Sequence, residues 1–199
     1  FWFCGCSGLP VVDTSGAGAA PSRAPVVLRG RRARTIDVHA HCYFQAALDL
    51  MGAEAKSVLP PVKGVPEHFL QVDAQLAARF AAMDRMGIDL QVLSINPYWY
   101  KQDRDTAEAI CRIHNESLAE LCARHPTRLA AFASLPMQFP DLAVAMLDDA
   151  VRRLGLKGAA IGGSVAGRDF ANAEFHPVLA KAQELDVMLF IHPQSTPEL

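Results

Sequence analysis

Polar and apolar positions alternate along Thr35-Ile36-Asp37-Val38-His39-Ala40-His41, the pattern of a short strand with Asp37, His39 and His41 on one face and Ile36, Val38 and Ala40 on the other. Downstream the period changes. Leu76, Ala77, Phe80, Met83 and Met86 fall on a helical stripe that Gly87 ends, and Ile88 to Ile95 reads as a second strand. Arg104 to Arg124 predicts a long helix with Ala107, Ile110, Cys111, His114, Leu118 and Leu121 along one side. Arg128 to Ser134 is a third strand, and Leu142, Met146, Ala150 and Leu154 mark a helix closed by Gly155. A fourth strand over Lys157 to Ile161, a helix over about Glu174 to Leu185 and a nearly all-apolar strand from Val187 to His192 complete the series.

Strands that alternate with helices, each strand close to a continuous apolar run, predict a parallel sheet covered by helices. His41-Cys42-Tyr43-Phe44 follows the first strand where a dinucleotide-binding sheet would place a glycine-rich loop, so a (β/α) TIM-barrel-like fold is the expectation. The chain holds about five of the eight strands of such a barrel. Residues 1–34, rich in Gly, Ser, Ala and Pro, are expected to be a flexible leader, with 35–199 the N-terminal part of the barrel domain. Residues 42–66 are too broken by Gly and Pro for a long helix and read as a long lid or binding loop. The chain opens without methionine and stops soon after a strand, as a piece of a longer protein would.

Composition narrows the function. The chain has 199 residues, 51% of them hydrophobic, and a formal net charge of -2, which fits one globular domain and offers no basic footprint for nucleic acid. No apolar run reaches the roughly 18–20 residues of a membrane span, and the opening Phe1-Trp2-Phe3-Cys4-Gly5-Cys6 does not look like a signal peptide. A soluble cytoplasmic protein without membrane or nucleic-acid partners is expected. Five cysteines form no disulfide framework and read as reduced thiols, and Cys4-Gly5-Cys6 lacks a second pair at ligand spacing.

In a barrel, chemistry gathers at the C-terminal ends of the strands. His39 and His41 end the first strand and His192 ends the fifth, with Met188 and Phe190 in its inward phase and Val187, Leu189 and Ile191 packed outward. The three histidines then face one cavity mouth as metal ligands. Three nitrogen donors with a position left for water describe a catalytic zinc site, although iron, cobalt or manganese is also compatible. The expected cofactor is one divalent metal, with Zn2+ first. Tyr98-Trp99-Tyr100-Lys101 follows the second strand and reads two ways: Tyr98 and Trp99 wall a pocket for a flat carboxylated substrate, or they pack as a loop. His68, His114, His125 and His176 are expected in capping, surface or packing roles.

Ile36-Asp37-Val38-His39-Ala40-His41, Met83-Asp84-Arg85-Met86-Gly87-Ile88-Asp89, Leu135-Pro136-Met137-Gln138, Gly158-Ala159-Ala160-Ile161-Gly162 and Phe190-Ile191-His192-Pro193 together resemble the amidohydrolase-related family over about residues 35–193. The nearest likeness is to its aminocarboxymuconate-semialdehyde decarboxylase group. The resemblance implies metal-dependent, non-oxidative decarboxylation of a small aromatic or unsaturated carboxylic acid, with His39, His41 and His192 on the metal. It also implies a catalytic acid/base histidine and an aspartate from later strands, so both are expected beyond residue 199. Gln194 stands where these decarboxylases often carry an aromatic residue. Lys157 begins its strand instead of ending it, which favours one metal over a lysine-bridged pair. Hydrolysis of a lactone or amide by the same ion is the alternative, and an inactive part-barrel a third reading, in which a homo-oligomer would be one way to cover the open sheet edges.

Overall fold

The structure is a computed structural model that describes residues 26–52 and 73–192. Cys4, Cys6, His68, Gln194 and most of the expected leader and lid lie outside the described residues. Val27–Leu28 (β1) and Arg31–Arg32 (β2), expected within a loose leader, pair as an antiparallel hairpin. Arg29 and Gly30 both take positive φ, 50° and 74°, the twist that a two-residue hairpin turn requires.

The remaining strands are Ile36–His41 (β3), Leu90–Ser94 (β4), Leu129–Ala131 (β5), Ala133–Ser134 (β6), Gly158–Gly162 (β7) and Met188–His192 (β8). All neighbouring pairs among them are parallel, in the orders β3-β4-β5 and β6-β7-β8. The third predicted strand is thus two. Its first half pairs back to β4 and its second half forward to β7, and the turn between them falls at Phe132, whose N–H still donates to Leu93 O at 2.9 Å. A long helix makes the break tolerable. Asn115, on Arg104–Arg124, accepts from Ser134 N at 2.7 Å and donates to Ser134 O at 3.1 Å, so a side-chain amide serves the strand where the sheet no longer does.

The helices are Gln45–Asp49 (α1), Asp73–Met86 (α2), Arg104–Arg124 (α3), Pro140–Arg152 (α4) and His176–Glu184 (α5), the last preceded by a 3-10 turn over Ala173–Phe175. α3 starts at Asp103, whose carboxylate accepts from the main-chain N–H and the hydroxyl of Thr106. Its predicted stripe from Ala107 to Leu121 is buried throughout. Two stripes shift. On α4 the buried residues are Ala143, Leu147 and Ala150, while Leu142 and Met146 are only half-buried, and α5 also packs on this helix. On α2 the apolar reading misses a charge: Ala77 is exposed, and Arg79 shares the buried side with Leu76 and Met83.

Most of the core lies between the strands and the helices, and a smaller group, Val92, Phe132 and Ala160 with Phe190 beside them, fills the other face of the sheet. Phe132 and Phe190 stack there, rings 5.7 Å apart and 9° from parallel. Val187 and Leu189 pack on the helix side as expected, but Ile191 is exposed, as are Ile36 and Val38. These belong to β8 and β3, which pair on one side only among the described residues.

At Gly158, where β7 pairs with β8, φ is 124° and an added Cβ would sit 2.0 Å from Met188 O. Gly158→Ala is therefore expected to destabilise the chain by on the order of 3 kcal/mol through strain and backbone overlap. Urea unfolding of the two proteins side by side measures it.

Candidate metal centre

Hydrogen-bonding in the β3–β4 ladder is interrupted just before the histidines. Asp37 pairs with Gln91 and Ala40 with Leu93, so Val38 and His39 together face Val92, one residue too many on β3. Such a bulge bends the strand and re-aims its side chains. The His39 N–H donates to Asp37 Oδ1 at 3.1 Å, a local side-chain bond at the irregular step. Despite the extra residue, His39 and His41 converge, their Nε2 atoms 2.9 Å apart.

His192 reaches the same point from β8. Its ring centroid lies 5.0 Å from those of both His39 and His41, and ligand atoms of the three residues lie within 4.8 Å of one another. Two imidazole nitrogens on one tetrahedral ion at bonds of about 2.1 Å would be about 3.4 Å apart. The observed spread brackets that value, so small ring rotations bring the set onto a single ion. His41 is buried, while His39 and His192 are half-buried, which leaves the cluster open on one side. Ser94 presents O and Oγ to His41 Nδ1 at 3.4 and 3.3 Å, and with the Nδ1 proton turned to them the Nε2 atom faces the cluster as a metal ligand would. Burial, with His39 nearby, holds the His192 pKa below the usual imidazole value and favours the neutral form that binds metals. Among the described residues this is the group of three or more His, Cys, Asp or Glu that can hold one divalent ion.

The aromatic loop behaves differently. Trp99 is fully buried and donates from Nε1 to Leu135 O at 2.9 Å, and Tyr98 is buried with its hydroxyl 3.0 Å from His114 Nε2. Both side chains make interior contacts, and neither joins the histidine cluster. Tyr100 instead anchors the mouth, its hydroxyl accepting from Gly162 N at 3.1 Å where β7 ends. His114 completes this packed block, with Nδ1 3.2 Å from Ser134 Oγ, and burial drops its pKa to about 3. His125 caps α3 through its main-chain N–H and meets the Phe80 ring edge-on at 5.1 Å, and His176 opens α5.

The residues missed in the sequence lie below the histidines. Arg79 Nη1 donates to Gln91 Oε1 at 2.9 Å, Gln91 Nε2 donates to Asp37 Oδ2 at 3.0 Å, and Arg79 Nη2 donates to His41 O at 2.5 Å. One signal was available: Arg79 stands three residues after Leu76 and four before Met83, on the buried side of its own helix.

The sequence profile described as Amidohydrolase matches residues 36–198. The chain belongs to the amidohydrolase family. This amidohydrolase chain is 36% identical over 155 residues to the decarboxylase orsB of Emericella nidulans, a match that covers 77% of the chain and 45% of the relative. It is also 36% identical over 125 residues to a gamma-resorcylate decarboxylase of Rhizobium radiobacter, covering 59% of the chain and 38% of that protein. Among solved structures, a dihydroxybenzoic acid decarboxylase of Polaromonas sp. JS666, with bound manganese and the inhibitor 2-nitroresorcinol, superposes with a TM-score of 0.67 at 30% identity. That match covers 83% of the chain and 51% of the other. The chain spans less than half the length of the two curated relatives, and its six parallel strands, in two three-stranded groups, make up about half of the TIM barrel of the family's solved structures.

Two outcomes are expected of this amidohydrolase chain. His39→Ala and His192→Ala each lose the bound metal measured by elemental analysis after dialysis, whereas His125→Ala keeps it. Separately, the unfolded chain takes up a proton on His114 at about pH 6.5 while the folded chain resists until about pH 3. The stability this residue supports is therefore complete above pH 6.5 and declines by about 1.4 kcal/mol per pH unit as the pH falls through that window. Denaturant titrations from pH 7 to pH 4 should show this slope, flattened in His114→Gln.

Proposed function

We propose that the chain supplies the metal-holding half of a metal-dependent, non-oxidative decarboxylase acting on a small aromatic carboxylic acid. The convergence of His39, His41 and His192 carries this reading. Support for the reaction comes from the decarboxylase relatives, and support for the substrate class from the dihydroxybenzoic acid enzyme of Polaromonas at 30% identity.

His39, His41 and His192 would hold the ion, which would supply Lewis-acid stabilisation of negative charge on a substrate oxygen. The three imidazoles orient that site. Phe190, 5.4 Å from the His39 ring, closes the inner side with an apolar face that excludes water beneath an aromatic substrate. In the reaction the bond between ring carbon and carboxyl carbon breaks, carbon dioxide leaves, and the electron pair left on the ring carbon takes up a proton. The donor of that proton is proposed to lie outside the described residues. Tyr98 and Trp99 are assigned to supporting the mouth from behind.

Zinc is proposed as the ion on the strength of an all-nitrogen donor set. Manganese, the metal in the Polaromonas structure, is its competitor. The free thiols Cys42, Cys111 and Cys122 fit a reducing compartment, and the proposed location is the cytoplasm. Among the described residues no helix is long and apolar enough to cross a membrane.

The deciding experiment supplies the protein that carries this chain with 2,6-dihydroxybenzoate and related hydroxybenzoates. Carbon dioxide and the corresponding phenol should appear in equal amounts, with at least a hundredfold loss in His39→Ala and restoration of the stripped protein by zinc more than by manganese. Turnover of lactones or amides without carbon dioxide release would sink the decarboxylase assignment in favour of hydrolysis.

A further inference from the structure

The bulge at Val38–His39 sets a mechanical problem. Two of the three histidines sit at or just past a step where β3 departs from regular pairing, and their positions need support from elsewhere. The structure shows that support as a chain of side chains: His39 N–H to Asp37 Oδ1, Asp37 Oδ2 from Gln91 Nε2, Gln91 Oε1 from Arg79 Nη1, and Arg79 Nη2 to the carbonyl of His41. It begins at the main chain of one histidine and ends at the main chain of the other.

The polarity of each link is dictated by residue type. A guanidinium only donates, an ionised carboxylate only accepts, and a primary amide does both, so glutamine is the residue that joins the first to the second. Arg79 and Gln91 are only 5% and 6% exposed, so breaking a link leaves a polar group unpaired where water cannot easily replace it. The planar fork of arginine also fixes the angle between its two Nη bonds, which ties the Gln91 side chain to the His41 carbonyl as one rigid unit.

We propose that Arg79, Gln91 and Asp37 are positioning residues that hold the main chain at His39 and His41 in the spacing an ion requires, so that metal affinity depends on groups that never touch the metal. This inference rests on the metal-binding reading of the three histidines. Loss of such supporting bonds commonly weakens metal binding by about 10–100-fold.

The test uses the 199-residue chain and zinc or manganese, with affinity read by competition against a chelating dye. Gln91→Glu keeps the acceptor for Arg79 but sets two carboxylates against each other, and Asp37→Asn sets two amide donors against each other. Each is expected to weaken binding by about tenfold or more. The double variant Asp37→Asn with Gln91→Glu rebuilds the chain with its polarity reversed at one link: the introduced amide donates to the introduced carboxylate, and its oxygen still accepts from the His39 N–H. It should recover affinity to within about threefold of wild type. Thermal melting of the metal-free proteins is followed in parallel, and because the two single exchanges strain the same link from opposite sides, failure of one to fold leaves the other to decide. Lowered melting temperatures with unchanged affinity in the folded variants would overturn the proposal while leaving the metal site standing, as would a double variant no better than the singles. Absence of metal uptake by the wild type overturns the metal reading and this proposal together.

Discussion

Among the described residues β3 and β8 are not paired as neighbouring strands, yet the histidines that end them come within reach of one ion. Everything between the two strands serves that approach. Laid flat with β5 and β6 as one continuous strand, the strands from β3 to β8 at about 4.8 Å spacing would put the outer two nearly 20 Å apart, so the strands have to bend. The bend is concentrated at named places. Phe132 divides one strand between two neighbours, Asn115 pairs with Ser134 where the division leaves it short of partners, and Gly158 lets β7 and β8 lie closer than any side chain would permit.

Two polar assemblies flank the cluster and differ in kind. Behind it, Tyr98, His114, Ser134 and Asn115 form a neutral, buried set whose effect is to lock helix α3 to the end of β6. Beneath it, Arg79, Gln91 and Asp37 run from a guanidinium to a carboxylate directly under the ligands. Burial of charge is costly unless every donor finds an acceptor, and the bonds of Arg79 to Gln91 and to the His41 carbonyl answer that requirement. The end of β3 that carries the histidines is thereby tied across its bulge by side-chain hydrogen bonds.

Much of this is legible in the residues. Alternation in β3 and the apolar run of β8 place His39, His41 and His192 together because strand period and the common direction of parallel strands suffice to bring their ends to one side. Five motifs in order then point to the family. Other features depend on tertiary context. The split at Phe132 leaves no mark in a uniformly apolar stretch, and the extra residue at Val38–His39 is a matter of register with β4, which periodicity within one strand does not contain. Tyr98 and Trp99 leave burial and pocket-lining both open, since an amphipathic aromatic suits either, and their contacts with Leu135 and His114 are not written in the local pattern. Arg79 escapes a reading by pattern because charged residues normally lie on the wet side of a helix, a rule that fails where a main-chain carbonyl and a glutamine await the guanidinium.

The spacing of the three histidines along the chain has a consequence for folding. His39 and His41 are neighbours in any conformation, but His192 is roughly 150 residues further on, so the third donor reaches the other two only after the intervening chain has been arranged. An unfolded chain offers an ion a two-donor chelate, and the folded one a three-donor site. The difference in affinity between them is a free energy that accrues to the native state alone. On the proposed metal reading, a bound ion would be a removable cross-link between β3 and β8, and its supply in the surroundings would enter directly into how stable the native chain is.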